Sequence, residues 1–274
     1  MKFTQQVGFF MRSFFLQAGW NYQKYQNIGL LFIMRPFLSR LYKKDPKKLE
    51  DAVARYLATF NTQPILASFC FGALAKQEEH IAHAQNFAET HEETQAWNTI
   101  KRGLSITTAS IGDRLFWGTL KPLTLLLALF IWLVLGVHIF ESTPELPLPC
   151  LYIWAGSIAA FLAFNVIALF VKWEGFKTSY KAVYGACYGL TSFDWNKTIY
   201  NAKKIGLVLT VAMILLGIYY YLREFQQSID VHFITRAVIV LFFVCISFIT
   251  RRLRIPNMYL YLAAVVVFNL VCYL

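Results

Sequence analysis

Long stretches without a charged residue constrain this chain more than any other feature. A helix of about 20 apolar residues crosses a hydrocarbon core of about 30 Å. Strands are disfavoured, because the stretches lack polar alternation and backbone groups in lipid must hydrogen-bond to one another. A fifth stretch, Phe233–Thr250, carries Arg236 near its start, where the side chain can snorkel to the headgroups. The sequence therefore predicts an all-α membrane protein with about five transmembrane helices. The four uncharged stretches are Leu123–Phe140, Leu148–Val171, Ile205–Leu222 and Met258–Leu274.

The placement of the basic residues predicts the topology. Only 15% of the 274 residues are charged, against about 25% in soluble domains, and the net charge is +11. Of the 26 Lys and Arg residues, all but Arg223 and Arg236 lie before Pro122, in Lys172–Lys204 or just before the last span. The positive-inside rule then places the N-terminus in the cytoplasm and the C-terminus outside. Topology explains the charge, so no nucleic-acid partner is expected. The five cysteines form no CxxC pair and fit apolar packing positions.

Residues 1–60 are predicted to form a cytoplasmic or interfacial region of amphipathic helices. One helix is expected over Phe9–Gly29, lying in the membrane interface or on a partner helix, or else packed within this chain's own cytoplasmic domain. A second helix is expected to start after Asp45-Pro46, an N-cap followed by proline. Lysines crowd that start and indicate either contact with anionic headgroups or a solvated basic turn. The aromatic-rich face of the first helix would comprise Met11, Phe14, Phe15, Ala18, Tyr22 and Tyr25.

Two short apolar segments follow in residues 61–121. Ile65–Ala75 is too short to cross a membrane and indicates one arm of a re-entrant hairpin or a buried helix. Gly103–Leu120 is a second short, glycine-containing piece. We expect residues 61–121 to form hairpin-like segments and residues 122–274 to form the transmembrane region.

Several stretches together resemble the IID subunit of the mannose/fructose/sorbose class of the phosphoenolpyruvate-dependent sugar phosphotransferase system. They are Arg12–Tyr22 with Gln26–Gly29, Phe60–Pro64 with Glu78-Glu79, Ile111–Pro122, and Phe164-Asn165 through Gly175. They occur in the family's order and spacing.

The resemblance implies a non-catalytic membrane subunit of the bacterial inner membrane. Its expected partners are a IIC membrane subunit, the IIB and IIA phosphocarrier proteins, a hexose-type sugar and the lipid bilayer, in an oligomer of IIC–IID pairs. Phosphoryl transfer is expected on the other subunits, and no cofactor is expected. Hairpins near the middle of the membrane would contribute to the sugar site.

This sequence departs from the family pattern in the segments expected to line that site. Gln63 stands where the family usually has His, Arg114 where it has a small Ser, and Val166–Ala168 where a Pro-His pair is usual. These departures motivate a second hypothesis, a divergent scaffold or regulatory subunit that assembles with IIC but does not transport sugar.

The predicted sugar-binding residues are Asn61, Thr62, Gln63, Asp113 and Trp117. Planar amides can exchange hydrogen bonds with several sugar hydroxyls, but Asn61-Thr62 before Pro64 equally fits a turn and helix cap. Asp113 is a candidate intramembrane carboxylate or the N-cap of a following helix. Trp117 is either an apolar platform for sugar or a packing residue.

His80 and His83, near Glu78 and Glu79, have a spacing that could hold a divalent metal, but a solvated polar helix is the favoured interpretation. No metal site is therefore predicted.

Overall fold

A computed structural model of the chain describes residues 3–84, 86–135, 151–182 and 187–225. Within these ranges the chain is helical and has no named strand. It divides into two compact units, residues 1–213 and 214–274. The second unit is described only for residues 214–225, which continue a helix. The helices, in chain order, are α1 (Phe3–Ser13), α2 (Asn27–Leu41), α3 (Pro46–Tyr56), α4 (Ala67–His83), α5 (Phe87–Gly112), α6 (Lys121–Val134), α7 (Leu151–Lys181) and α8 (Trp195–Phe225).

Two further elements complete the helical path. A π-helical segment, Asp113–Leu120, joins α5 to α6 without a break, and a 3₁₀ turn, Cys187–Ser192, precedes α8. Gly103–Leu120 is therefore not a separate short piece, because it continues inside one long helix.

Three helical stretches are long and apolar enough to cross a membrane: Ala88–Val134, Trp154–Lys181 and Cys187–Tyr220. They include the described parts of the first three predicted spans. The other two predicted spans, Phe233–Thr250 and Met258–Leu274, lie outside the described residues, so a count of five stays a prediction. Three of the five cysteines, Cys150, Cys245 and Cys272, also lie outside the described residues.

The expected helix over Phe9–Gly29 is wrong. Helix α1 ends at Ser13, and the chain then turns back before α2 begins at Asn27. The Asn21 side chain accepts a hydrogen bond from the backbone N–H of Lys24 at 2.8 Å, and Tyr25 has a φ of 58°. Gly29 packs directly on the backbone of Leu16, where a Cβ would overlap it. Local side-chain bonding and this close approach outweigh the helical periodicity.

Helix α3 begins as the sequence predicts. The Asp45 side chain accepts from the N–H of Lys48 at 3.0 Å, and Pro46 occupies the first helical position, where its missing N–H costs nothing.

Helix α4 forms the centre of the core and contains the Ile65–Ala75 segment almost entirely. Residues 67–75 are all buried, against α5 on one side and α7 on the other. Gly72 allows the backbone of α7 to approach at Phe176, and the Ser179 hydroxyl donates to the carbonyl of Phe69 at 2.6 Å. Small residues at such crossings let two helix backbones pack closely. The segment is therefore a buried helix within this chain; its depth in a membrane stays a prediction.

Candidate functional site

The segment Phe60–Gln63 is held in place by the loop before α2. The Gln26 side chain clamps the backbone of Thr62, donating from Nε2 to its carbonyl at 2.9 Å and accepting from its N–H at 3.0 Å. The backbone N–H of Gln26 also donates to the carbonyl of Phe60 at 2.8 Å. Because the buried Gln26 amide bonds both the N–H and the C=O of Thr62, it fixes the backbone of Phe60–Gln63 at that residue. Two of the sequence blocks that carry the resemblance therefore meet here.

Gln63 closes the turn that leads into helix α4. Its Oε1 accepts hydrogen bonds from the N–H groups of Ile65 at 2.7 Å and Leu66 at 2.9 Å, and the side chain is 3% exposed. These residues belong to the turn before α4, and the N-cap residue of the helix itself, Leu66, has no side-chain cap hydrogen bond. The structure therefore uses Gln63 in a turn.

Thr62 and Gln63 both pack against α5. The Thr62 and Thr108 hydroxyls lie 2.6 Å apart, both buried, and Gly112 packs directly on the side chain of Gln63. A Cβ at Gly112 would come 2.6 Å from the Gln63 Cβ and Cγ, so glycine permits this contact. The contact brings the Asn61–Gln63 block beside the start of the π segment, 50 residues away in the sequence.

The residues at the edge of this contact are exposed. Asn61 and Asp113 each lie within two residues of it, and Trp117 is 51% exposed one turn further along the π segment. The Lys121 ammonium lies 4.7 Å from the centre of the Trp117 ring. Three of the five predicted site residues thus present polar or aromatic side chains at the surface, whereas Thr62 and Gln63 are internal.

Asp113 does not cap a helix. Its φ of −64° and ψ of −42° are helical, and the helix passes through it into the π segment. The expected helix start at Gly112-Asp113 is wrong, since α5 continues where the sequence indicated a boundary. The Thr119 hydroxyl donates to the carbonyl of Arg114, five residues earlier, at 2.8 Å. A π-helical turn within an α-helix is rare and is frequently found at functional sites.

A buried ionic cluster lies at the other end of α4, and the sequence reasoning missed it. Glu78 is fully buried; its Oε1 accepts from the Tyr42 hydroxyl at 2.7 Å and from the Arg55 guanidinium. Tyr56 and Trp97 complete the cluster with ring centres 4.9 Å apart. The only signal in the sequence was an acidic residue next to the apolar segment that forms α4.

Burial is the strongest influence on the pKa values of Glu78 and Tyr42 in this ionic cluster. It raises the pKa of Glu78 above the usual carboxyl value, while the charge and hydrogen bonds of Arg55 and Tyr42 act in the opposite direction. Burial and the Glu78 charge both raise the pKa of Tyr42. Glu78 Oε2, Arg55 Nε, Tyr56 OH and Trp97 Nε1 are buried and have no hydrogen-bond partner within the described part of the chain.

The neighbouring acidic residue, Glu79, pairs elsewhere. It accepts a hydrogen bond from the hydroxyl of Tyr180 on α7 and forms an ion pair with Lys76 at 3.1 Å. His83 contacts the Glu79 carbonyl at 2.5 Å. Across residues 3–84, 86–135, 151–182 and 187–225, no three His, Cys, Asp or Glu side chains are grouped closely enough to hold a metal ion.

Comparison with known proteins identifies related chains. Residues 3–136 match the model of the PTS system mannose/fructose/sorbose family IID component. The mannose-specific EIID component of Escherichia coli K12 is 33% identical over 173 residues, 63% of this chain and 53% of the relative. The fructose permease IID component of Bacillus subtilis is 31% identical over 205 residues, 75% of this chain and 66% of the relative. The chain thus spans about half the length of the first of these relatives.

Two solved structures share the fold. One, titled as the structure of a membrane protein, has a TM-score of 0.58 and 26% identity, and the match covers 78% of this chain and 70% of that one. The other contains the mannose transporter ManYZ with microcin E492; its TM-score is 0.54 at 22% identity, covering 100% of this chain and 96% of that one. The sequence blocks, the family model and the shared fold agree, and the chain belongs to the mannose/fructose/sorbose family of IID components.

Proposed function

We propose that this chain is a membrane subunit of a mannose-class phosphotransferase permease. It would form a pathway for hexose-type sugars with a IIC subunit, in an oligomer of such pairs, and a soluble IIB would phosphorylate the sugar. Family membership supports the transport role, and the ManYZ likeness supports the fold on which it would rest. The basic residues support a bacterial inner-membrane placement with a cytoplasmic N-terminus and an outer C-terminus. The chain itself would not be an enzyme, since phosphoryl transfer belongs to the soluble partners.

The observation that carries this proposal is the contact between Gln63 and Gly112. It brings two blocks of the family pattern that are distant in the sequence into contact, with exposed side chains at the edge of the contact. In this proposal Asn61 and Asp113 hydrogen-bond sugar hydroxyls, and Trp117 provides an apolar ring face. Thr62 and Gln63 would then act indirectly, by holding the two blocks in contact through Thr108 and Gly112. The domain boundaries at residues 60 and 121 belong to the same proposal.

Sugar uptake tests the proposal. The full chain is co-expressed with a IIC and a IIB of the mannose class, and uptake of a labelled hexose is measured together with co-purification of IIC. Asn61→Ala and Asp113→Asn should each abolish uptake and leave co-purification intact. The matched controls are Asn98→Ala and Asp51→Asn, the same substitutions at exposed positions outside the contact. Normal uptake by both site variants, or loss of IIC from the complex, would remove these residues from the pathway.

One observation favours the alternative of a scaffold or regulatory subunit. The Gln63 oxygen already accepts hydrogen bonds from the N–H groups of Ile65 and Leu66, so the side chain at the position where the family usually has His stabilises a turn here. The same experiment separates the two functions. A wild-type complex that assembles but takes up none of the family's sugars would support the scaffold, and uptake at an appreciable rate would exclude it.

A further inference from the structure

Helices α1 and α2 enclose an open groove of about 460 Å³. The two helices run antiparallel, since Phe9 packs on Phe37 with ring centres 6.0 Å apart and Arg12 lies 5.9 Å from the ring of Phe32. Buried apolar side chains, among them Ile33, form the floor of the groove. This apolar floor can accommodate an alkyl chain.

The charged side chains that line the groove are both arginines. Arg12 comes from the last turn of α1 and Arg40 from the last turn of α2, so they lie towards opposite ends of the groove. No Asp or Glu lines it, and neither arginine forms an ion pair with any residue that the structure describes. The Arg40 Nε donates to the carbonyl of Pro36 at 3.0 Å, which holds the start of the guanidinium in place. The groove therefore carries two uncompensated positive charges above an apolar floor, and its charge complements an anion.

The groove lies where the apolar part of α7 ends. Phe10 and Phe3 of α1 pack on Trp173 with ring centres 5.2 and 6.0 Å apart, and the Lys172 ammonium donates to the carbonyl of Ser13 at 3.2 Å. Residues 154–171 of α7 contain no charged side chain, whereas Lys172 and Glu174 begin its charged end. If α7 spans the bilayer, α1 lies at headgroup level.

The surface around the groove is also apolar. Phe3 is 70% exposed and Met11 58%, and Phe14 and Phe15 are each more than half exposed. Exposed apolar side chains of this size on one short segment indicate a lipid-facing surface. A soluble anion would contact the arginines but would cover neither these exposed apolar side chains nor the apolar floor of the groove.

We propose that the α1–α2 groove is a binding site for an anionic phospholipid. Because the two arginines lie towards opposite ends, one guanidinium would hold the headgroup phosphate and the other would add to the positive charge of the groove, while an acyl chain would lie over Phe9, Ile33 and Phe37. Guanidinium groups pair with phosphate oxygens through geometrically matched hydrogen bonds. This site is separate from the Gln63–Gly112 contact and does not depend on whether the chain transports sugar.

Lipid titration tests the proposal on the full chain in detergent. Native mass spectrometry measures binding of phosphatidylglycerol and of phosphatidylethanolamine with the same acyl chains. Each basic residue near a membrane surface contributes about a fivefold gain in affinity for anionic lipid, so R12Q/R40Q should weaken phosphatidylglycerol binding roughly 30-fold. Binding of phosphatidylethanolamine should be weak in the wild type and unchanged in this variant. The matched control is K24Q/R35Q, which removes the same charge from exposed positions outside the groove.

The outcomes separate the sources of affinity. Equal weakening by R12Q/R40Q and K24Q/R35Q would mean a general charge effect and overturn the site. Displacement of phosphatidylglycerol by millimolar inorganic phosphate would also overturn it, because the groove would then recognise the phosphate without the acyl chain. R12K/R40K, which keeps the charge, should retain most of the binding. Were R12Q/R40Q misfolded, its melting temperature would fall, and the single variants R12Q and R40Q should then each still weaken phosphatidylglycerol binding about fivefold; no weakening by either folded single variant would overturn the site.

Discussion

The buried pair Arg55–Glu78 gives the sharpest quantitative test of this structure. The Glu78 carboxylate is fully buried, whereas the Arg55 side chain is 15% exposed. Arg55→Met would leave the carboxylate without its charged partner, keeping only the Tyr42 hydroxyl on Oε1. Removing one partner of a buried ion pair costs about 3–5 kcal/mol of unfolding free energy. We expect Arg55→Met to fall in that range at pH 7.5.

The pH dependence of this loss follows from the pKa of Glu78. Burial already raises that pKa, and losing Arg55 removes the main influence that lowers it, so the folded variant binds a proton more tightly than the unfolded chain. Its stability should therefore fall as pH rises from the unfolded pKa, about 4.3, towards the folded pKa. Between pH 7.5 and 5.5 Arg55→Met should recover up to about 2.7 kcal/mol relative to the wild type, since each pH unit is worth about 1.36 kcal/mol per proton.

A double mutant separates the pair from the packing. In Arg55→Met/Glu78→Gln no buried charge remains, and the Gln oxygen can still accept from Tyr42. Neutral replacement of a whole buried pair is often close to neutral in energy. We therefore expect the double mutant to recover at least half of the loss and to show no pH dependence from residue 78, because glutamine does not titrate.

Thiol labelling provides the assay. Cys70 lies fully buried on α4, two turns from Glu78, and burial raises the pKa of its thiol to about 12, so it should react only when α4 opens. In a background where Cys70 is the sole cysteine, labelling during a thermal or denaturant ramp reports unfolding. A double mutant as unstable as Arg55→Met, or a single mutant whose loss does not change with pH, would refute the reasoning.

The remaining stability predictions use the same Cys70 background. Gln63→Ala should cost about 1 kcal/mol, because it removes the acceptor for the N–H groups of Ile65 and Leu66 in the turn before α4, while Gln63→Glu, which keeps an acceptor, should cost less; equal melting temperatures for wild type and Gln63→Ala would show that these hydrogen bonds contribute nothing. Gly72→Ala should destabilise the chain by roughly 1–3 kcal/mol, because its Cβ would overlap the Phe176 backbone on α7. The matched control, Gly103→Ala, has no neighbour within 4 Å of the new Cβ and should gain about 0.5–1 kcal/mol from helix propensity. Similar effects at the two glycines would contradict the described packing of α4 on α7.

Sequence reasoning located elements whose signals are local. The start of α3 was predicted, because an N-cap and the proline after it act within one turn. The apolar character of α6, α7 and α8 was predicted for the same reason, since each signal lies within a single stretch. Family membership could also be predicted from the sequence, because each matching block is contiguous and the blocks occur in the family's order.

Errors arose where a distant residue decides the local conformation. The Phe9–Gly29 periodicity fits a helix, yet Gly29 packs on Leu16 and Asn21 closes a turn. Gly19, Asn21 and Gly29 were the available signals for that turn. At Asp113 a local N-cap pattern did not produce a helix start, because α5, which packs on Gln63 at Gly112, continues directly into the π segment.

The sequence by itself determined that this is an all-α membrane chain of the IID family, because hydrophobic length, charge asymmetry and contiguous motifs are properties of single segments. Only the tertiary structure decided what the polar residues do. Gln63 holds the turn before α4, Glu78 is half of a buried ion pair, and Asn61 and Asp113 lie beside one contact. A polar side chain buried away from water must find a partner, and which partner it finds depends on how the helices pack.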